Sequence, residues 1–432
     1  MDITFLSIRE SSWAIRAFSS DVSHSISSFI SIRVLVEGCW GIATQKYRPG
    51  INLKELAKRA IRIAQAATRG ADKKRIHYAE VPIVKDRVVH SYRYTSDNIA
   101  DQDVLELLVG LKGELREKTR YSYCEAILEH SLMRREYLDV NGTRITEVKP
   151  LTDIVFYLVV DGRQISTITG LGTGLELLLK GDLTPLINKL STRARAIKKM
   201  RRINPLIRGS RYPVVLSGEV ACALFHECIG HMLEADRFLM SEVKRLPLGV
   251  RVAPEYITIY DDPSILNGFG SYAYDDEGVK GRRKVLIEDG YIRGFLFSRT
   301  SAGYYQTEPT GNGRSYLNVP RSMMSNIYVR PGDWRLSEMI EETREGFYLD
   351  GVIIGRIDEY GICSIEVESS WYIKRGEIIT PTEPLRIQAS VNSLLNSIEG
   401  VGREIHIRPS FEKGIPVSEY APPLKLTKVR IF

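Results

Sequence analysis

Cysteine is scarce in this chain. Five residues, Cys39, Cys124, Cys222, Cys228 and Cys363, are scattered over 432 positions, an odd number with no CxxC pair. That argues against a disulfide framework and makes a reducing compartment the default. Long apolar runs are missing as well: none approaches the roughly 18 residues needed to span a bilayer, so no membrane helix is expected. The opening MDITFLSIRE alternates apolar and polar residues and has no basic stretch followed by a long apolar one, which speaks against a signal peptide. There is no internal repeat and no low-complexity segment. Blocks of like charge are few, because 60 basic and 53 acidic residues are mostly interleaved; the net charge of +7 permits acidic partners without requiring them. These absences leave a cytoplasmic globular protein with no membrane contact as the expectation.

What is present fits that expectation. A hydrophobic share of 43% with 26% charged residues is ordinary for a folded globular chain. The length of 432 residues exceeds the about 250 to 300 at which one core stops growing, so two domains are expected. The Asn204-Pro205 breaker marks the boundary, giving an N-terminal α+β domain over 1–205 and a C-terminal β-rich domain over 206–432. From Ile3 to Lys46, segments rich in β-branched and aromatic residues (ITFLSIRES, WAIRAFS, SHSISSFISIRVLVEG, WGIATQ) predict an antiparallel strand meander. The period then changes: Leu56, Ala57, Ala60, Ile61, Ile63 and Ala64 form one apolar stripe over Leu53 to Thr68, a helix ended by Gly70. A second helix is expected at about Ile99 to Lys118. Strands follow at Tyr121 to Leu128, Leu132 to Val140 and Ile154 to Val160, with Asn141-Gly142 as a hairpin turn, and a helix over Thr184 to Met200 closes this half. The second half opens with a strand, Tyr212 to Leu216, then a helix, then mostly antiparallel strands. The fold class is therefore α+β.

The opening helix of the second half carries HECIGH, His226 to His231. Two imidazoles flanking a carboxylate suit a hydrolytic zinc site, since neutral nitrogens hold the ion and a neighbouring acid that does not ligate serves as base. The histidines stand at i and i+5. On a regular α-helix five residues advance about 500°, which leaves the two side chains about 140° apart and unable to share an ion. A π-type turn, closing i to i+5, brings them together. Gly230 lowers the cost of such an irregularity, because glycine accepts backbone angles that other residues resist. The alternative is a pair of core histidines satisfied by hydrogen bonds.

HECIGHMLEAD, GSYAYDDEGVKGRRKVLIEDGYIRGFL from Gly270, TGNGRS from Thr310, NIYVRPGD from Asn326 and the early SIRVLVEGCWGIAT occur in the order in which the TldD/PmbA family carries similar segments. By these motifs the chain resembles that family over nearly its whole length. The family, once called modulators of DNA gyrase, comprises metallopeptidases of two subunit types, and this chain resembles the TldD type with its HExxxH motif. The resemblance implies zinc held by His226 and His231, Glu227 as general base toward a metal-activated water, and hydrolysis of unfolded or short peptides. It also implies a peptide substrate pairing along a strand edge and a homo- or hetero-dimer with a TldD/PmbA-type subunit. One departure matters. Family members place a ligand cysteine in a Cys-Gly-Lys loop just before a Val-Pro-Val-like strand, whereas Ile415-Pro416-Val417 follows Arg408-Pro-Ser-Phe-Glu-Lys-Gly414, with no cysteine. Catalytic zinc normally has three protein ligands. Cys363, Glu234 and Glu412 are the candidates for the third, and a subunit silenced by the loss of the cysteine, retained for peptide binding or assembly, is the rival function.

Other features read more plainly. Asp275, Asp276 and Glu277 either position a substrate amine or, as turn carboxylates commonly do, face solvent. GLGTGLE, Gly170 to Glu176, lacks the Lys-Ser/Thr ending of a phosphate loop and reads as a connector. In TGNGRS, Arg314 is a candidate to touch a substrate carboxylate or backbone. Arg193, Arg195, Lys198, Lys199, Arg201, Arg202, Arg208 and Arg211 crowd the domain boundary; with no aromatic platform or recognition motif, they read as a solvated helix end rather than a nucleic-acid surface.

Overall fold

The computed structural model describes residues 2–16, 21–69, 76–239 and 246–432. The first half is one seven-stranded sheet flanked by helices. Strands β1 (Asp2–Arg16), β2 (Asp21–Val36) and β3 (Cys39–Lys46) form the antiparallel meander read from the sequence. The sheet continues from β1 to β5 (Tyr123–Asp139) and β6 (Arg144–Val160), with β7 (Arg163–Leu171) antiparallel to β6 and the short β4 (Lys85–Val89) parallel to it. Two strands expected between Tyr121 and Val140 are one, and ITFLSIRES runs on unbroken into the described part of WAIRAFS, to Arg16. No glycine or proline interrupts Glu129 to Ser131, and pairing with β6 runs unbroken across them. The Asn141-Gly142 turn is where the sequence puts it, braced by Asp139 Oδ1, which accepts from the N–H groups of Asn141 and Thr143 at 2.9 Å each.

Helix α1 (Leu53–Thr68) begins where Asn52 Oδ1 accepts from the N–H groups of Lys54 and Glu55, and buries Leu56, Ala60 and Ala64. Gly70, expected to end it, lies outside the described residues. Helices α2 (Asp101–Lys118), α3 (Glu176–Lys180) and α4 (Thr184–Lys199) share a second core with β5 and β6 through Val104, Leu108, Ala126, Phe156, Ile187 and Leu190. Two N–H groups of the Gly170–Glu176 connector are bonded inside the protein: Gly172 donates to Asn267 O and Leu175 to Tyr94 O. It is a packing loop, not a phosphate cradle.

The second half is built of two larger sheets around a buried helix. β8 (Arg211–Leu216) belongs to a seven-stranded sheet with the strands Glu345–Ile357 and Ile362–Lys374. A six-stranded sheet contains Asn326–Val329, His406–Glu412 and Ile415–Ala421. Helix α5 (Gly218–Phe225) touches both sheets, and one apolar cluster joins all three layers. Pairing is mainly antiparallel, with parallel contacts of β8 to Glu345–Ile357 and of Asn326–Val329 to Ile415–Ala421. The class is α+β. On this layout we propose the division 1–205 and 206–432.

Buried charge ties the halves together. Arg193 is not part of a solvated helix end: it is fully buried, and its guanidinium donates to Asp350 (2.9 Å), Glu368 (3.0 Å) and Glu219 (2.6 Å). The reason is its place on the inward face of α4, where a guanidinium is tolerated only because three carboxylates surround it. The other basic residues of that stretch are exposed. Asp275, Asp276 and Glu277 likewise depart from both readings offered for them, being at most 1% exposed. Asp276 pairs with Arg135 of β5, Asp275 accepts from the Gly313 N–H at 2.8 Å, and Glu277 accepts from the Arg299 N–H at 2.6 Å. Asp276 thus crosses the seam between the halves, while Asp275 and Glu277 tie loops within the second half.

Candidate metal centre

Ser217 starts α5 by accepting from the Val220 N–H, and apart from Glu219, which pairs with Arg193, the helix that follows is small and apolar, as suits a helix buried between two sheets. At His226 the helix widens. Residues His226–Gly230 form a π turn in which the His231 N–H donates to His226 O, the i to i+5 closure that the histidine spacing requires. The rings stand 4.9 Å apart between centroids and 85° to one another. Gly230 contributes in a way the sequence did not suggest. Its φ of −51° is ordinary for a helix; what it provides is clearance, since a Cβ there would lie 2.5 Å from Sδ and Cε of Met324.

The third element is a hairpin. Strands His406–Glu412 and Ile415–Ala421 are joined by Lys413 and Gly414, both at positive φ (52° and 79°), a tight turn whose twist matches the strands. It sets Glu412 at the strand end, with Oε2 3.7 Å from His226 Nε2 and 3.7 Å from His231 Nε2. The three residues offer donor atoms all within 4.8 Å of one another. Of the three candidates for a third ligand, Glu412 alone joins the histidines. Cys363 is wholly buried in the core beside Cys228, and Glu234 lies 3.4 Å from His231 Nδ1, the nitrogen that does not face Glu412.

Behind the donors stands a second tier that sequence reading missed. Glu419, fully buried, accepts from His226 Nδ1 at 2.6 Å and is itself held by Arg408 (3.0 Å) and Ser410 (2.8 Å). A carboxylate on Nδ1 fixes the ring and the tautomer that leaves Nε2 open. The one signal available was an acid inside the apolar strand Ile415–Ala421, all of it buried. Burial works against the charge on His226, yet Glu419 and then Glu412 prevail and raise it to about 10. Glu412, bonded to that ring and to Lys413 against a burial penalty, is drawn down to about 2. The pocket is thus strongly disposed toward positive charge. Two imidazoles and a carboxylate are a donor set used by catalytic zinc, and the 3.7 Å spacings are near the about 3.4 Å separating ligands of a tetrahedral zinc ion. The residues fit the ion.

His231, Glu412 and Glu227 line a cleft of about 1,210 Å³ whose far wall includes Trp40 and Ile76 of the first half. Glu227 lies against Gly355 on the strand Glu345–Ile357, where a Cβ would meet its Cγ at 3.1 Å and Oε1 at 3.3 Å.

Residues 209–432 match the family model of the PmbA/TldA metallopeptidase C-terminal domain. The chain belongs to this family. Over 406 residues it is 29% identical to the metalloprotease MJ0996 of Methanocaldococcus jannaschii, covering 90% of this chain and 86% of that one. It is 33% identical over 244 residues to the zinc metalloprotease TldD homolog of Saccharolobus solfataricus, covering 55% and 54% of the two chains. TldE from Thermococcus kodakarensis superposes with a TM-score of 0.79 at 18% identity, over all of this chain and 96% of its own, a likeness of fold. The loop before Ile415, where the resemblance led one to expect a cysteine, carries Glu412 and no cysteine.

Proposed function

We propose that the cleft hydrolyses peptide bonds in short or unfolded peptides, with zinc held by His226, His231 and Glu412 and with Glu227 as the general base. The observation that carries this reading is the convergence of two imidazole nitrogens and a carboxylate at the wall of a cleft that Glu227 also lines. When bound, the ion supplies Lewis acidity, polarising the scissile carbonyl and acidifying water to near neutrality. Glu227 takes the proton from the attacking water and delivers it to the leaving amine. Glu419 keeps His226 oriented, and Glu234, 3.4 Å from Nδ1 of His231, is the acid placed beside the second ring.

The peptide lies along the strand Glu345–Ile357. Its Val352–Ile357 portion pairs with Ile362–Lys374 on one edge and has no strand partner on the other among the described residues, and Gly355 to Ile357 line the cleft. An extended substrate completes that edge by main-chain hydrogen bonds. The rival of a subunit silenced by the loss of the loop cysteine is disfavoured by Glu412, which offers a third donor beside the two histidines. We further propose a cytoplasmic setting and assembly with a second TldD/PmbA-type subunit, in keeping with family membership; no helix among the described residues is long and apolar enough to cross a membrane.

Glu227→Ala tests the mechanism. The variant is expected to keep its zinc, by metal analysis, and to lose peptide hydrolysis by a factor of about 10² or more. Undiminished hydrolysis in that variant would remove Glu227 from the mechanism, and absence of bound zinc in the unaltered protein would remove the metal.

A further inference from the structure

The cleft has a second lobe of about 590 Å³ that shares Val319, Arg321, Met323 and Lys413 with the first. The two lobes differ in charge. Six carboxylates line the first (Glu227, Glu234, Asp236, Asp358, Glu359 and Glu412), against four cations. The charged residues of the second are Arg314, Arg321 and Lys413, with no acid among its lining residues. Lys413 Nζ stands 2.8 Å from Glu412 Oε1, so the second lobe begins beside the proposed ligand set.

Arg314 is the informative member. It is only 4% exposed, and its guanidinium donates to the carbonyls of Met324 and Pro416 at 3.3 Å each and lies 4.4 Å from the centre of the Tyr272 ring. No carboxylate pairs with it among the described residues. Arg135 and Arg193, also buried, meet carboxylates, whereas Arg33 and Arg299 are buried against backbone carbonyls as Arg314 is; of these three, Arg314 is the one that lines the lobe. A guanidinium withdrawn from water without a counter-ion is costly, and an anion that enters the lobe offsets that cost. Arginine's planar fork matches a carboxylate in particular. Arg321, exposed and without an ion pair among the described residues, adds a second cation at the mouth.

We propose that this lobe is a carboxylate-binding subsite, so that the chain prefers peptides presenting an acidic side chain or their own C-terminal carboxylate there. The proposal rests on reading the first lobe as the peptidase site, and its test separates the two. Three labelled peptides of one sequence serve as probes: neutral with an amidated C-terminus, the same with Glu replacing one Gln, and neutral with a free C-terminus. Binding is measured by fluorescence anisotropy on zinc-loaded Glu227→Ala protein, and hydrolysis by chromatography on the unaltered chain.

A carboxylate-bearing peptide is expected to bind roughly tenfold tighter than the neutral amide, as a charge-assisted contact requires, and to lose much of that advantage at high salt. Whichever of the two carries the advantage identifies the source of the carboxylate. Introduced into the Glu227→Ala background, Arg314→Gln and Arg321→Gln should each reduce the binding ratio toward one. Arg321 is exposed, so its variant remains informative if the buried Arg314 variant does not fold. Equal binding of all three peptides, or a ratio unaltered in both variants, overturns the subsite even if every peptide is cleaved. A binding preference with no cleavage of any peptide upholds the subsite and overturns the peptidase reading.

Discussion

Glu419 never touches the proposed ion, yet the orientation of His226 depends on it, because its carboxylate is the acceptor for Nδ1 and is anchored in turn by Arg408 and Ser410. Glu419→Gln keeps the shape and removes the charge. Partners of this kind carry about 10- to 100-fold in metal affinity, so chelator competition should show zinc held weaker by that factor. Affinity equal to the unaltered protein would mean that Glu419 does not orient the ligand. A second residue reports on stability. Burial pushes the Asp153 carboxyl up to about 7 from its ordinary 3.8, with Glu129 adding to the effect. Between those values the folded chain retains a proton that the unfolded chain has released, so stability declines as pH rises through the window. Asp153→Asn has no such proton to lose. Relative to the parent it should gain up to about 4 kcal/mol between pH 4 and 7, visible as a diverging pair of Tm curves. Parallel curves would show that Asp153 titrates normally.

The π turn is the element on which the site depends, and its neighbour Met324 tests it. Gly230→Ala drives a methyl into Met324 Sδ and Cε, atoms at the end of a flexible side chain, with an expected loss of about 1 to 3 kcal/mol and weaker zinc binding. Adding Met324→Ala removes the obstacle. The double variant should therefore recover zinc affinity relative to Gly230→Ala alone, a coupling that a double-mutant cycle measures. Independent, additive losses would mean that glycine is needed there for some other reason. The hairpin is the second element at work: the Lys413-Gly414 turn sets Glu412 opposite the histidines, and two residues of positive φ confine that placement to one register.

At the scale of the whole molecule, the halves meet through buried ions. Arg193 of α4 is enclosed by Glu219, Asp350 and Glu368 of the second half. Arg193→Ala leaves three acids with Lys189, 3.1 Å from Glu219, as the remaining cation among their ion pairs. Breaking a buried pair from one side costs about 3 to 5 kcal/mol, so a clear fall in Tm is expected. A change within about 0.5 kcal/mol would assign the cluster no part in stability. The first half also supplies Trp40 and Ile76 to the cleft wall, so the site belongs to both halves.

Read alone, the sequence determined whatever is local and periodic. It placed α1 to the residue, because an apolar stripe repeats every turn; the Asn141-Gly142 hairpin, because the turn chemistry is specific; and the widened turn at His226, because two imidazoles five positions apart can share an ion in no other helical geometry. It divided long strands where the pattern faded, because the pairing that keeps β5 continuous is supplied by β6 and not by its own residues. Tertiary structure decided the rest. Glu412 is 181 positions from His231 and Glu419 is 193 from His226, and only the packing of a hairpin against a buried helix brings such separations within hydrogen-bonding or ligand distance. Cys363, Glu234 and Glu412 were equal as letters in a sequence; their side chains are distinguished by which of them the fold points at the two imidazoles.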